Sequence, residues 1–449
     1  MLNTLFLPEL REMLREANEV ELKEFCTALH PARTAEFMEG LEDGELWRVL
    51  QYAEPSLRSE IFTYFDWDRQ VSLLQQSPDP EVASLFDSLP ADDAVDLVQE
   101  LPEERVEAIL ALIPAADRRD IRRLQTYEEG TAGAIMTTEE ARLSEQSTVR
   151  QTLERLAKDS EDFETVYYLY VVDETNHLLG IVSARAILSS IGRQDTKLAD
   201  LMETDLVSVN VRVDQWEVAE KVAKYNLLAI PVVDDQNHML GIITHDDVID
   251  VMVEEAAVDM QRNAAVESLS DSYMRTDVLT LSWKRGMWLT LLFFFALLTA
   301  FALERYDGQL TTYAWLVAFI PLIISSGGNT GSQSSTLVIT ALATKDIDPS
   351  DWWRILKREL LMGLLLGTFL AAIGYVTAVF FAPSPFAAIV IPVTILTVVV
   401  AGAAIGSILP LIFQSLGLDP ALMSNPFVAG IIDILGILIY LNVAMVVLG

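Results

Sequence analysis

A single cysteine, Cys26, stands in 449 residues, which excludes an intramolecular disulfide and a cysteine-built metal site. Histidine is nearly as scarce, at four, so zinc or copper chemistry has almost no ligands to draw on. Basic residues are outnumbered as well: 31 Lys and Arg face 65 Asp and Glu, for a formal charge of -34. Only eight of those acids and five of the bases lie from residue 286 onward, so the first 285 residues carry a net -31. Such a surface repels nucleic acid and anionic headgroups and concentrates cations; plain solubility is the simpler account wherever the acids are scattered. No GxxxxGK[ST] loop is present, nor any nucleophile with a base beside it, which argues against an ATPase or hydrolase. The N-terminal MLNTLFLPELREM lacks a basic region followed by an apolar run, so no cleaved signal is expected.

Long apolar runs are abundant. Five predicted spans fall at about 283–303, 313–343, 358–382, 386–415 and 426–448. The last, PFVAGIIDILGILIYLNVAMVVL, reaches about 34 Å as a helix, enough to cross a hydrocarbon core of roughly 30 Å. Asp433 is its one charge. Asn425, Ala429, Asp433, Gly436 and Tyr440 recur at spacings of 4, 4, 3 and 4, which predicts one small and polar stripe, with Val428, Ile432, Leu435 and Ile439 facing elsewhere. A carboxylate at mid-bilayer costs about 2.5–3.5 kcal/mol on insertion scales, so it marks an ion or proton path unless it is protonated or simply bonds a neighbouring helix. The second span contains SSGGNTGSQSST, residues 325–336, after Pro321. Gly327, Gly328 and Gly331 permit either close backbone approach or an unwound turn, and Asn329, Gln333, Thr336 and Thr340 predict a polar pore wall. Gly363 with Gly367, and Gly402 with Gly406, read as helix packing. Second, fourth and fifth spans have no Lys or Arg inside, which suits a cation path; Glu359 either lines a mouth or pairs with Lys357 or Arg358. Loops on the side of the soluble part carry Lys284, Arg285, Lys345, Arg354, Lys357 and Arg358 against Arg305 opposite, so the acidic domains are expected in the cytoplasm and the C-terminus outside.

Ahead of the membrane part, Pro78, Pro90, Pro102 and Pro114 recur every twelve residues and are followed by acids. Proline suits a first helical turn and acids its dipole, so residues 1–130 read as an all-α superhelix of short helices. Asp92, Asp93 and Asp96 are candidates for sharing a cation; ordinary helix-terminal acids explain the same spacing. Residues 131–253 hold an internal duplication. YVVDETNHLLGIVSARAIL at 170–188 returns as PVVDDQNHMLGIITHDDVI at 231–249, with Val172, Asp173, Asn176, His177, Leu179 and Gly180 each matched 61 residues later. Each copy predicts a βαββα unit. The pair resembles the cystathionine-β-synthase (CBS) tandem. Gly241, Thr244 and Asp247 meet its pattern in the second copy, so the resemblance implies an adenine-nucleotide (ATP) cleft at Thr244 and Asp247; Ala186 stands where the first copy would need its acid. Then come Asp246, Asp247, Asp250, Glu254, Glu255 and Asp259, whose mutual repulsion, about 4 kcal/mol per pair at ~4 Å, favours bridging by a hard divalent ion. Residues 254–280 predict one long polar helix leading to the membrane, and 281–449 the all-α five-helix transmembrane domain.

SSGGNTGSQSSTLVITALATKDI and LGLDPALMSNPFVAGIIDILGILIYL, together with this domain order, resemble the MgtE family of magnesium channels over nearly the whole chain. The resemblance implies a homodimer in the cell membrane, with Asp433 from two copies holding largely hydrated Mg²⁺ on the dyad and Asn425 and the Asn329 segment close by. It further implies that cytoplasmic Mg²⁺ closes the pore through Asp92, Asp93 and Asp96, Asp214 and Glu217, and Asp247, Asp250, Glu255 and Asp259. Asn226 and Val258 depart from the family's acids, and Ile432 and Ile434 from smaller or polar residues. The competing readings are a proton- or sodium-coupled carrier using Asp433 as a relay and a CBS-controlled membrane sensor or enzyme.

Overall fold

The computed structural model describes residues 6–160, 163–269, 273–420 and 423–449. The chain divides into two units, Met1–Val253 and Glu254–Gly449.

The first unit opens with ten short helices: α1 (Leu7–Glu16), α2 (Glu19–Ala28), α3 (Pro31–Met38), α4 (Asp43–Leu50), α5 (Pro55–Thr63), α6 (Trp67–Gln76), α7 (Asp79–Phe86), α8 (Ala91–Gln99), α9 (Glu103–Leu110) and α10 (Ala115–Leu124). The twelve-residue prolines are their punctuation. Pro78, Pro90, Pro102 and Pro114 are the N-cap residues of α7 to α10, one position earlier than a first-turn proline. Acids follow in each first turn, where the unpaired N–H groups favour negative charge. Stacking buries Leu22, Leu46, Leu50, Phe62, Leu74, Val82, Phe86 and Ile109 almost completely.

The duplication builds two equivalent three-stranded sheets. β1 (Glu140–Ser144), α11 (Val149–Asp159), β2 (Thr165–Val172), β3 (Leu178–Ser183) and α12 (Ala184–Ser189) form the first repeat. β4 (Val209–Asn210), α13 (Gln215–Tyr225), β5 (Ala229–Val233), β6 (Met239–Thr244) and α14 (His245–Asn263) form the second. In each, the first strand pairs parallel with the second, which pairs antiparallel with the third. The Asp-x-x-Asn-His turns work identically. Asp173 Oδ1 accepts the N–H groups of Thr175 and His177, Asp234 Oδ1 those of Gln236 and His238, and Asn176 and Asn237 take left-handed φ of 68° and 63°. The two turns meet, with the His177 and His238 rings stacked 4.3 Å apart. The second repeat shares its core with the helical superhelix, through Met136, Val209, Val218, Ile230 and Ile243.

The membrane unit differs from the sequence expectation at its start. α14 is continuous with the second repeat and ends at Asn263, and Ala265 takes a left-handed φ of 56°. The single helix expected over 254–280 is therefore broken, and the first span begins afresh at Val278, with the Asp277 carboxylate capping the N–H groups of Leu279 and Thr280. The spans are α15 (Val278–Arg305), α17 (Ile320–Ala343), α18 (Trp352–Phe381), α19 (Val390–Ser415) and α20 (Asn425–Leu448), with a short α16 (Asp307–Thr312) after the first. α19 packs against α17 and α18, and α20 against α17 and α15.

α17 decides between the two readings of its glycines. The glycine- and serine-rich segment is not unwound: α17 is helical throughout. Its glycines serve close approach instead. A Cβ at Gly402 would stand 2.6 Å from Gly327 O, and one at Gly406 would collide with Gly331 O, so α17 and α19 touch backbone to backbone.

Candidate functional site

The first unit gathers carboxylates from several separate places in the sequence, Glu60 of α5 among them. α8 presents Asp92 and Asp93 from its first turn, α14 presents Asp246 and Asp247 from its own, and the approach to β2 supplies Glu164. With Glu139 they line a cleft of about 510 Å³ whose other walls include Ser59, Thr63 and Ser88. No Lys or Arg lines it. Burial, then Asp93, Asp247 and Glu164, push the Asp92 carboxyl well above the usual carboxylate range. Burial, then Asp247, Asp96, Glu164 and Asp250, push Asp93 up to about 7. Glu164 is likewise raised to about 7 by burial and by Asp247 and Asp246, and Asp247 is raised mainly by burial. Asp92 Oδ1 is buried and has no hydrogen-bond partner. Several oxygens that resist ionisation, one of them orphaned and none neutralised by a base, make a site that a divalent cation would relieve. Among the described residues no three acids or histidines stand close enough to clasp one bare ion.

The sequence candidates divide accordingly. Asp92, Asp93 and Asp247 meet in the cleft, while Asp96 and Asp250 are exposed and act on Asp93 through their charge. Asp214 and Glu217 are not brought there. Asp214 caps α13 by accepting the Trp216 N–H at 2.9 Å, and Glu217 pairs with Lys221 one turn along at 2.9 Å. Thr244 is buried, and its Oγ1 donates to Asp247 Oδ2 at 2.5 Å while its own N–H donates to the same oxygen at 3.1 Å. Asp247 thus caps α14 and faces the acidic cleft at once. Glu164 and Glu139 escaped sequence reasoning, because both lie before strands of the first repeat and reach the cleft only through the tertiary fold; no local signal marks them.

Further along α14, Asp259 is held above the usual range by burial and by Asp419. Arg262 opposes this, donating from Nη1 to Asp419 Oδ2 at 2.6 Å. Glu255 lies one turn before Asp259 and adds to its upward shift.

In the membrane unit Asp433 sits in the middle of α20, half-buried, beside Gly328 of α17: a Cβ at Gly328 would stand 3.2 Å from Asp433 Oδ1. Asn425 is tied to α17 twice, accepting from Thr336 Oγ1 at its Oδ1 (3.0 Å) and from Ser332 Oγ at its carbonyl (3.1 Å). Asn329 is exposed and donates to Ser325 Oγ, and with Gln333, Thr336 and Thr340 it forms an uncovered polar face of α17. Towards its far end the stripe on α20 turns into the protein. Tyr440 is fully buried and donates to Leu316 O at 2.8 Å, and Gly436 packs against Val398. Glu359 is not paired with Lys357 or Arg358; it lines a cavity between α17 and α18, and its Oε2 accepts from Ser334 Oγ at 2.6 Å.

Comparison with known proteins covers most of the chain. Residues 320–443 match the MgtE family, described as divalent cation transporters; residues 29–130 match the MgtE intracellular N domain; residues 132–193 and 198–254 match CBS domains. A magnesium transporter MgtE of Enterococcus faecalis is 36% identical over 440 residues, covering 97% of this chain and 95% of that one. The magnesium transporter MgtE of Thermus thermophilus is 38% identical over 331 residues, covering 74% and 73%. Among solved structures, the soluble part of a magnesium transporter aligns with a TM-score of 0.52 at 33% identity, covering 56% of this chain and 98% of that one. The cytosolic domain of the Mg²⁺ channel MgtE in complex with ATP aligns with a TM-score of 0.50 at 31% identity, covering 54% and 98%.

Proposed function

This chain belongs to the MgtE family of divalent cation transporters, and on that premise we propose that it carries Mg²⁺ through the membrane along the polar face of α17, with Asp433 as the ion's resting point. The observation that carries the reading is the pairing of that half-buried acid with an uncovered row of amide and hydroxyl groups, in helices whose interiors contain no base. Mg²⁺ gives up water reluctantly and is usually held by one or two carboxylates plus retained waters. Asp433 from each chain of a homodimer, facing across its two-fold axis, supplies that arrangement, with Asn425 and Asn329 positioned to bond the water shell.

Regulation is assigned to the acidic cleft. Cytoplasmic Mg²⁺ bound by Asp92, Asp93 and Asp247 offsets their repulsion, and α14, which begins at that cleft and carries Glu255 and Asp259, passes the change towards the pore. Nucleotide binding at Thr244 and Asp247 accords with the ATP complex of the related cytosolic domain and would compete for Asp247. The acidic domains then lie in the cytoplasm and the C-terminus outside. Proteoliposomes loaded with an Mg²⁺ indicator test the transport step: Asp433→Ala should abolish or strongly slow uptake, and wild-type uptake by that variant would refute the assignment. Discrete openings with no dependence on a proton or sodium gradient would set a channel apart from a coupled carrier.

A further inference from the structure

Apart from the path assigned to the ion, the membrane unit holds a second cavity, about 420 Å³, between the last turns of α17 and the first turns of α18. One wall is apolar, built from Leu337, Val338 and Ile355. The remainder is charged with both signs: Arg354 and Arg358 one helical turn apart on α18, Asp346 and Asp351 from the connecting loop, and Glu359, whose Oε2 is taken up by the Ser334 hydroxyl. Opposite charges sharing so small a space would ordinarily close into ion pairs. Here they do not. Among the described residues neither guanidinium has a hydrogen-bond or ion-pair partner, and Asp351 Oδ2 is turned to the Asp348 N–H instead. The cations and the acids line one cavity of about 420 Å³ without pairing, which leaves room for a group that carries both charges.

Its position identifies the kind of group. Trp352 and Trp353 open α18 half-exposed, and Lys357 Nζ lies 5.0 Å over the Trp353 ring. Tryptophan beside lysine and arginine at the end of a span marks the headgroup level of a bilayer, and the apolar wall leads from there into the hydrocarbon-facing part of the span. Two adjacent guanidiniums match a phosphate bidentately. Asp346 and Asp351 disfavour a headgroup that is only anionic and suit a primary ammonium, which donates hydrogen bonds that a quaternary ammonium cannot. We propose that the α17–α18 cavity binds a phospholipid with an ethanolamine headgroup, the phosphate on Arg354 and Arg358 and the ammonium against Asp346 and Asp351.

Native mass spectrometry of the full chain in detergent tests this, with phosphatidylethanolamine, phosphatidylglycerol and phosphatidylcholine of the same acyl chains as probes and soluble phosphoethanolamine as competitor. The expected result is a preference of about tenfold in Kd for the ethanolamine lipid, lost when both guanidiniums are removed in Arg354→Gln/Arg358→Gln. Asp346→Asn, at an exposed loop position where the fold is not at stake, should narrow the preference over phosphatidylglycerol while leaving phosphate-dependent binding. Equal binding of all three lipids, retention of the preference in these variants, or displacement by phosphoethanolamine at lipid-equivalent concentration would each overturn the proposal. Asp433→Ala should leave lipid binding unchanged, which separates this site from the transport path.

Discussion

Asp93→Asn should stabilise the first unit in the absence of divalent ions and cost it its response to Mg²⁺. The carboxyl of Asp93 is pushed from 3.8 to about 7 by burial and four neighbouring acids. Its folded-state value lies above the unfolded one, so its contribution is fully present below about pH 4 and is lost as pH rises through about 7. Roughly three units at ~1.36 kcal/mol each set a ceiling of about 4 kcal/mol at pH 8, and water at the open side of the cleft lowers this to about 2 kcal/mol. Glu164 shifts in the same direction to about 7, so the parent should lose stability between about pH 4 and 7 when metal is chelated. For a unit of this size ~2 kcal/mol corresponds to roughly 4–8 °C in Tm. Scanning calorimetry of the full chain in detergent, with exchange protection of the α8 amides as a local readout, should show a higher Tm for Asp93→Asn than for the parent at pH 8 in chelator. It should also show a flatter pH profile and a smaller gain on adding Mg²⁺. A lower Tm for the variant under those conditions, or a parent whose Tm rises with pH, would refute the account of the cleft as a set of carboxylates waiting for a cation.

Three further substitutions probe the membrane unit. Gly406→Ala places a methyl group against Gly331 O, a backbone atom that cannot move aside; a loss of about 3 kcal/mol or more, seen as a collapsed yield of folded protein on size exclusion, is expected. Tyr440→Phe removes the donor to Leu316 O in a fully buried setting and should cost about 1–2 kcal/mol in a melt. Arg262→Gln breaks the pair with Asp419, but both groups are about one-third exposed, so less than about 1 kcal/mol should be lost by the same measurement.

What the sequence made legible follows from how far each signal reaches. Span lengths are a matter of composition against bilayer thickness, and all five emerged. The duplicated Asp-x-x-Asn-His turns were visible because each is closed by its own side chains, Asp173 with His177 and Asp234 with His238. α17 was harder. Gly327, Gly328 and Gly331 weaken a helix in water, but backbone groups away from water have no better partner than the next turn, and contact with Gly402 and Gly406 uses the missing side chains. The break after Asn263 went unread although Asp277 just before an apolar run is an N-cap signal; the polar residues between them fit a helix pattern equally well. Tyr440 lies on the protein side of its stripe, but the acceptor of its phenol could not be read from spacing, since only the packed Leu316 carbonyl reveals it. Glu164 could not have been chosen from sequence at all.

The distribution of bases explains why acids so similar in kind take different parts. Asp259 and Asp419 lie near a resident cation, Arg262, which neutralises them whatever the ion concentration outside. Asp173 and Asp234 are occupied by the turns they close, and the hydrogen bonds they accept hold their carboxyls below the usual range. Glu217 is satisfied by Lys221. The cleft of Asp92, Asp93, Glu164 and Asp247 combines burial with a lining that holds no base, and there several carboxyls are raised together by one another's charge. A built-in lysine would hold such a cleft permanently in one state. If a diffusible ion supplies the positive charge instead, the stability of the cleft depends on that ion's concentration, which the proposed regulation requires and a purely structural site does not.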